Sequence, residues 1–199
     1  MFVITSDQRD SRRTDDLVPA TLVALGAHTG RGLALAPERT AGDEVQVAVA
    51  DPEAALTIVL ELTRTGQWSV GLGIGTVESP LPDSVRAARG DAFVNARDAV
   101  DRAKKATTRL AITGPGDDDD AEALVRLLVD LRDRRTTEGW EVYDLLAEGL
   151  TQRDAAVRLG ISEGAVSLRV KAAGLRTEEA AVPALTRVLA RLDPPSMPD

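Results

Sequence analysis

TQRDAAVRLGISEGAVSLRVKAA, residues 151–173, carries two short helical patterns on either side of Gly160. Thr151 and Asp154 have capping-box spacing, with Asp in place of the usual Glu, and open a first helix over Gln152–Leu159. Gly160 permits a sharp turn, and Ser162 is placed to cap a second helix over Glu163–Ala172. Ala155, Ala156, Leu159, Ile161, Val166 and Val170 fall where two crossing helices must touch. This pattern predicts a helix-turn-helix, a geometry that lays its second helix in the major groove of double-stranded DNA. The outward positions of that helix are Glu163, Gly164, Ser167, Leu168 and Lys171. The N-terminal part of such a helix meets base edges, and basic residues further on hold phosphates. The expected base contacts are therefore Ser162, Glu163 and Ser167. The expected phosphate contacts are Arg169, Lys171 and Arg176. Gln152 and Arg153 reach the DNA backbone from the first helix.

The rest of the chain sets this element in an acidic protein. The net charge of 199 residues is −8, which opposes nonspecific DNA binding. The charge is uneven, because residues 162–176 set Arg169, Lys171 and Arg176 against Glu163 alone. An acidic body with a locally basic reading helix binds weakly as a monomer, so a homodimer is expected. Hydrophobic residues make up 43 % and aromatics 3 %, so the core must be built from Val, Leu, Ile and Ala. The absence of cysteine excludes disulfides, thiolate metal sites and cysteine nucleophiles. A single histidine, His28, argues against a Ser-His-Asp triad. No apolar run reaches the length of a membrane span, and MFVITSDQRDS does not read as a signal peptide. A soluble, cytoplasmic protein with no membrane partner is expected.

Before residue 116, strand and helix patterns alternate as β-α-β-β-α-β-α-β. The strands are Phe2–Thr5, Gly32–Ala36, Glu44–Ala50, Trp68–Val77 and Arg109–Thr113. The helices are Asp15–Ala27, Pro52–Thr65 and Asp91–Ala106, and a hairpin turn is expected at Thr40–Asp43. Thr113-Gly114-Pro115-Gly116 breaks the pattern, and Asp117–Asp120 read as an acidic helix start. Ala121–Arg135 follows as a helix with Leu124, Leu127, Leu128 and Leu131 inward. Glu138–Glu148 precedes the helix-turn-helix, with Trp140 and Tyr143 expected in a small C-terminal core. A last helix carries Leu185, Val188, Leu189 and Leu192, either from Pro183 or kinked there within a longer helix from Thr177. Pro183–Leu192 is either the dimer interface or a core helix. The division is then 1–116 as an α/β domain, 117–136 as a connecting helix, 137–193 as the DNA-binding domain and 194–199 as a disordered tail.

Three segments of the first part form a set: Ser6-Asp7 after the first strand, Arg39-Thr40-Ala41-Gly42-Asp43-Glu44 at the hairpin, and Gly71-Leu72-Gly73-Ile74-Gly75 followed by Gly90-Asp91-Ala92-Phe93-Val94-Asn95-Ala96-Arg97. The set resembles the palm of class III nucleotidyl cyclases. The resemblance implies that Asp7 and Asp43 match the two metal-binding aspartates, that Arg39 stands at the purine-reading position, and that Asn95 and Arg97 correspond to the transition-state pair. In the cyclases that pair is separated by four residues; here it is separated by two, which on a helix means opposing faces. Over essentially the whole chain the sequence also resembles the SatD-like family, a reduced cyclase palm joined to a C-terminal helix-turn-helix. That resemblance adds Ser11-Arg12, Val45-Gln46, Gly160-Ile161-Ser162 and Val166-Ser167 to the matching stretches, and it implies a DNA-binding regulator.

Several of these residues also have readings that need no ligand. Asp43 is a common turn residue. Gly71, Gly73 and Gly75 let a helix approach a strand closely. Asn95 and Arg97 can hold a loop by hydrogen bonds, and Asp7 can pair with Arg12. The expected fold is α+β: a ferredoxin-like, cyclase-palm sheet with packed helices, followed by an all-α helix-turn-helix domain. The expected function is a dimeric, sequence-specific transcriptional regulator with a catalytically degenerate palm for dimerisation or ligand sensing. It needs no cofactor, although the palm leaves room for Mg²⁺ with a small nucleotide. Two alternatives stay open: a metal-dependent cyclase or related phosphoryl-transfer enzyme using Asp7 and Asp43, and a protein-docking scaffold.

Overall fold

Val, Ile and Leu at every second position create strands that bury one face, and small residues in between let the other face be buried as well. In a computed structural model, which describes residues 1–28 and 32–193, five such strands form one sheet. They are β1 (Phe2–Gln8), β2 (Leu33–Arg39), β3 (Glu44–Val49), β4 (Trp68–Ile74) and β5 (Leu110–Thr113). Eight helices accompany them among the described residues: α1 (Val18–Gly26), α2 (Pro52–Thr63), α3 (Asp91–Ala103), α4 (Asp118–Asp133), α5 (Thr137–Ala147), α6 (Gln152–Leu159), α7 (Glu163–Ala172) and α8 (Leu175–Leu192). The protein is a mixed α+β structure, and the element order up to residue 113 is the one expected. No helix among the described residues is long and apolar enough to cross a membrane. The tail expected to be disordered, 194–199, lies outside the described residues.

The sheet order is β2-β3-β1-β4-β5. β1 runs antiparallel to both β3 and β4, β2 and β3 form an antiparallel hairpin, and β5 adds parallel to β4. Phe2 and Ile4 of β1, Val45, Val47 and Val49 of β3, Leu72 and Ile74 of β4, and Leu110 and Ile112 of β5 all enter the main core. Helices α1, α2 and α4 close that face, together with Leu185, Leu189 and Leu192 of α8. The other face is covered by α3, which packs Ala92 and Ala96 over Val3 and Ala48.

The close approach of α3 explains the glycines of β4. A Cβ on Gly71 would lie 2.2 Å from the backbone N of Val100, and one on Gly73 would lie 2.1 Å from the backbone N of Ala96. The strand therefore has no side chain where the helix backbone rests on it.

Two expectations are corrected here, and the alternatives for the last helix are decided. The buried stripe of α4 is Ala121, Val125, Leu128 and Val129, whereas Leu124 and Leu127 are exposed. The helix has apolar residues on two stripes, and the bulkier one is not the one that faces the sheet. The last helix begins at Leu175 and contains Pro183 in its interior. Its end is a core helix of the sheet rather than part of the C-terminal core, which it joins only through Leu175. Trp140 lies under the guanidinium groups of Arg64, Arg132 and Arg135, 4.2, 4.9 and 4.5 Å from its ring centre, at the junction between sheet and C-terminal helices.

Candidate functional site

Residues 151–173 fold as the local signals direct. Thr151 Oγ1 accepts the backbone N–H of Asp154 at 3.2 Å, and Asp154 Oδ2 accepts the backbone N–H of Thr151 at 3.3 Å. This reciprocal box opens α6. Its hydrogen bonds from Thr151 hold the Asp154 carboxyl below the usual aspartate range. Gly160 ends α6 in the left-handed conformation at φ 67°, where a side chain would be strained. Ser162 Oγ then accepts the backbone N–H of Ala165 at 3.2 Å and opens α7. The bounds of both helices are those expected from the sequence.

A small core holds the two helices in register. Ala155 and Ala156 of α6 meet Val166 and Val170 of α7, and Val142 of α5 fills the third side. Leu159, Ile161 and Tyr143 pack against this cluster. The outer face of α7 presents Glu163, Gly164, Ser167, Leu168 and Lys171 to solvent, all of them exposed. Arg153 and Arg176 are also exposed, and Gln152 is half-buried. Among the described residues, Arg153, Lys171 and Arg176 make no ion pair. Arg169 differs: its guanidinium reaches Glu141 of α5 at 3.1 Å and braces α7 to α5.

The expected palm residues belong to β1, the β2–β3 hairpin and α3. Asp7 and Asp43 line one open pocket of about 390 Å³, but each already has a protein partner. Nζ of Lys104, the residue that caps the C-terminus of α3, sits 2.9 Å from Asp7 Oδ2, so the partner of Asp7 is Lys104 and not Arg12. Burial alone would lower the Lys104 pKa; the hydrogen bond and charge of Asp7, with Asp101, outweigh it and leave the pKa raised. Asp43 accepts a hydrogen bond from Ser11 Oγ.

By register the two aspartates are offset by one position rather than directly opposite. The residue opposite Asp7 on β3 is Glu44, so Glu44 shares its face of the sheet. Glu44 is buried and takes both terminal nitrogens of Arg97. Asn95 Nδ2 donates to the carbonyl of Ile74 at 2.8 Å. Arg39 donates to Asp16 at 2.5 Å and to the Gly42 carbonyl at 2.9 Å, bracing the hairpin.

Mg²⁺ is held by one or two carboxylates plus phosphate oxygens. Here the ammonium of Lys104 takes the place beside Asp7 that a cation would need. Among the described residues no group of three acidic or histidine side chains is assembled for a metal. As arranged, Asp7 is paired with Lys104 and Asp43 is hydrogen-bonded to Ser11.

A buried charge cluster, not foreseen from the residues alone, lies behind the α6–turn–α7 unit. Glu178 of α8 accepts from Arg132 of α4 and, at 2.5 Å, from Arg135 just beyond the end of α4. Arg135 also donates to the carbonyl of Ala173, at the end of α7, at 3.0 Å. The one available signal was the pairing of arginines at i and i+3 on a helix otherwise read as a connector.

No family model matches the chain, and no curated protein matches it. Among solved structures it is similar to a regulator of polyketide synthase expression from Bifidobacterium adolescentis, at 16 % identity and a TM-score of 0.32. The match covers 96 % of this chain and 79 % of that one. A likeness at that level leaves the function to be argued from the residues themselves.

Proposed function

We propose that the chain is a sequence-specific DNA-binding protein and a dimeric regulator of transcription. In this reading α6, the turn at Gly160 and α7 form a helix-turn-helix, and α7 enters the major groove. The observation that carries it is the combination in residues 151–173 of a reciprocal cap, a left-handed glycine turn and a second cap. That combination uses the buried positions for the packing of the two helices and leaves Glu163, Ser167 and Lys171 exposed on the outer face of α7, beside Leu168. Ser162, Glu163 and Ser167 would read base edges, and Lys171 and Arg176 would hold phosphates. Gln152 and Arg153 would meet the backbone from α6. Arg169, held by Glu141, would position α7.

The strand order supports reading the remaining part as a ferredoxin-like palm, since β2-β3-β1-β4 with helices between β1 and β2 and between β3 and β4 is that arrangement. Its role in this proposal is not catalytic: Asp7, Arg97 and Asn95 are each held by another part of the sheet domain. The pocket beside β1 favours a ligand role. Arg12 and Arg13 line it with Arg9 and Arg109 and, among the described residues, make no ion pair. Guanidinium groups of this kind suit the phosphates of a small nucleotide. Such a ligand would act through different affinities for two arrangements of the dimer.

The function is tested by enriching genomic fragments on the purified protein and measuring their affinity by fluorescence anisotropy. Retention of defined duplexes that weakens with salt supports the proposal. Formation of a cyclic nucleotide from ATP or GTP with Mg²⁺ or Mn²⁺, lost in Asp43→Ala, would favour the enzyme instead.

A further inference from the structure

Helix α4 has more apolar residues than the sheet uses. Its second stripe, Leu124, Leu127 and Leu131, advances in steps of three and four, the spacing of one continuous helix face, and Leu131 at its end is half-buried against the main core. Leu124 is 45 % exposed and Leu127 67 %. Beside this stripe α8 presents Ala181, Ala184 and Val188, and an open apolar groove of about 480 Å³ runs between the two helices. The surface thus has one projecting wall of leucines and one recessed wall of small residues.

We infer that this groove is the homodimer interface. Two copies pack their α4 helices antiparallel about a twofold axis, and Leu124 and Leu127 of each enter the groove of the other. A patch that carries both the projecting and the receiving wall is self-complementary, which a twofold interface requires. The charges select the direction. Asp120 and Arg134 lie on the same stripe, seven residues to either side of Leu127. At 1.5 Å per residue each is about 10 Å from the centre. Antiparallel pairing sets Asp120 of one copy against Arg134 of the other, twice, whereas parallel pairing sets like charges together. Among the described residues of the protomer, Arg134, at the end of α4, pairs with Asp130 four residues back.

The interface adjoins the α6–turn–α7 unit. Thr177 lines both this groove and the cleft formed by Ser167, Leu168, Lys171 and Arg176. Pairing through α4 and α8 therefore fixes the separation of two α7 helices; this consequence rests on the DNA-binding reading, while the interface itself does not.

The test is the mass of the full chain in solution, by sedimentation equilibrium across micromolar concentrations. The expected result is a dimer, with Leu127→Glu a monomer whose circular dichroism and melting are unchanged, because the side chain is exposed. Arg134→Asp weakens the dimer about tenfold at low salt, and adding Asp120→Arg restores it. A monomeric wild-type protein, or a dimer that survives Leu127→Glu, overturns the inference. An intact dimer that binds no DNA rejects the DNA reading and leaves the interface standing.

Discussion

Arg64, which caps the C-terminus of α2, forks onto Asp144 of α5, with its two terminal nitrogens 2.7 and 2.8 Å from the two carboxylate oxygens. The same guanidinium lies over the ring of Trp140. One side chain from the sheet domain thus grips the helix that supports the α6–turn–α7 unit. The hydrogen bonds it donates to Asp144 raise the Arg64 pKa further, so the guanidinium is charged at every physiological pH. Both partners are partly exposed, so the coupling between Arg64→Ala and Asp144→Ala in a double-mutant cycle is expected to be about 1 kcal/mol. Urea unfolding of the four proteins measures it, and additivity of the two substitutions contradicts the link.

Glu178 matters more, because its partners are buried. The side chains of Arg132 and Arg135 are 4 % and 0 % exposed. Glu178→Gln leaves both guanidinium groups without their counter-charge. A loss of ~3–5 kcal/mol is expected in urea unfolding. A loss below ~1 kcal/mol would show that the cluster relaxes into solvent when the carboxylate is removed.

Gly73→Ala places a methyl group 2.1 Å from one backbone atom of α3 and 2.2 Å from another. Neither can move without the helix. A loss of ~3 kcal/mol or more, or failure to fold, is expected. Gly164→Ala is the control, since the nearest atom to the added Cβ is 3.9 Å away and the site is helical. It should stabilise the protein by ~0.5–1 kcal/mol in the same unfolding experiment.

Lys104 predicts a pH dependence. Its pKa is raised in the folded protein, so its contribution to stability is fully present below the ordinary lysine value of ~10.4 and is lost as pH rises through the folded value. Melting temperatures recorded toward high pH should fall on this limb, and Lys104→Met should flatten it. The chain has only three lysines, which keeps the signal readable. An unchanged alkaline limb in Lys104→Met would mean that Asp7 gains nothing from its partner.

The residues from 151 to 173 were legible because their signals are local: two caps, one left-handed glycine and a period of small residues, all within reach of one another along the chain. The strand–helix order was legible for the same reason. What was hidden depends on register and on choice of face. Asp7 and Asp43 look like a facing pair in sequence, but a shift of one residue in an antiparallel ladder reverses the face, and the residue opposite Asp7 is Glu44. In α4, Leu124, Leu127 and Leu131 satisfy a helical period as well as Ala121, Val125, Leu128 and Val129 do. Periodicity reports that a stripe exists, and only the partner helix and sheet determine which stripe is covered. The charges on Arg132, Arg135 and Glu178 read as solvated because the residue that neutralises the arginines is more than forty positions away.

The central claim is that α7 reads DNA, and the salt dependence of binding tests it most directly. Anisotropy of an enriched duplex is measured against salt for the wild type and for Lys171→Ala. The account predicts binding that falls steeply with salt and a slope reduced by about one in Lys171→Ala, because one phosphate contact is gone. No binding at low salt to any enriched duplex, or a Lys171→Ala slope equal to that of the wild type, would contradict it.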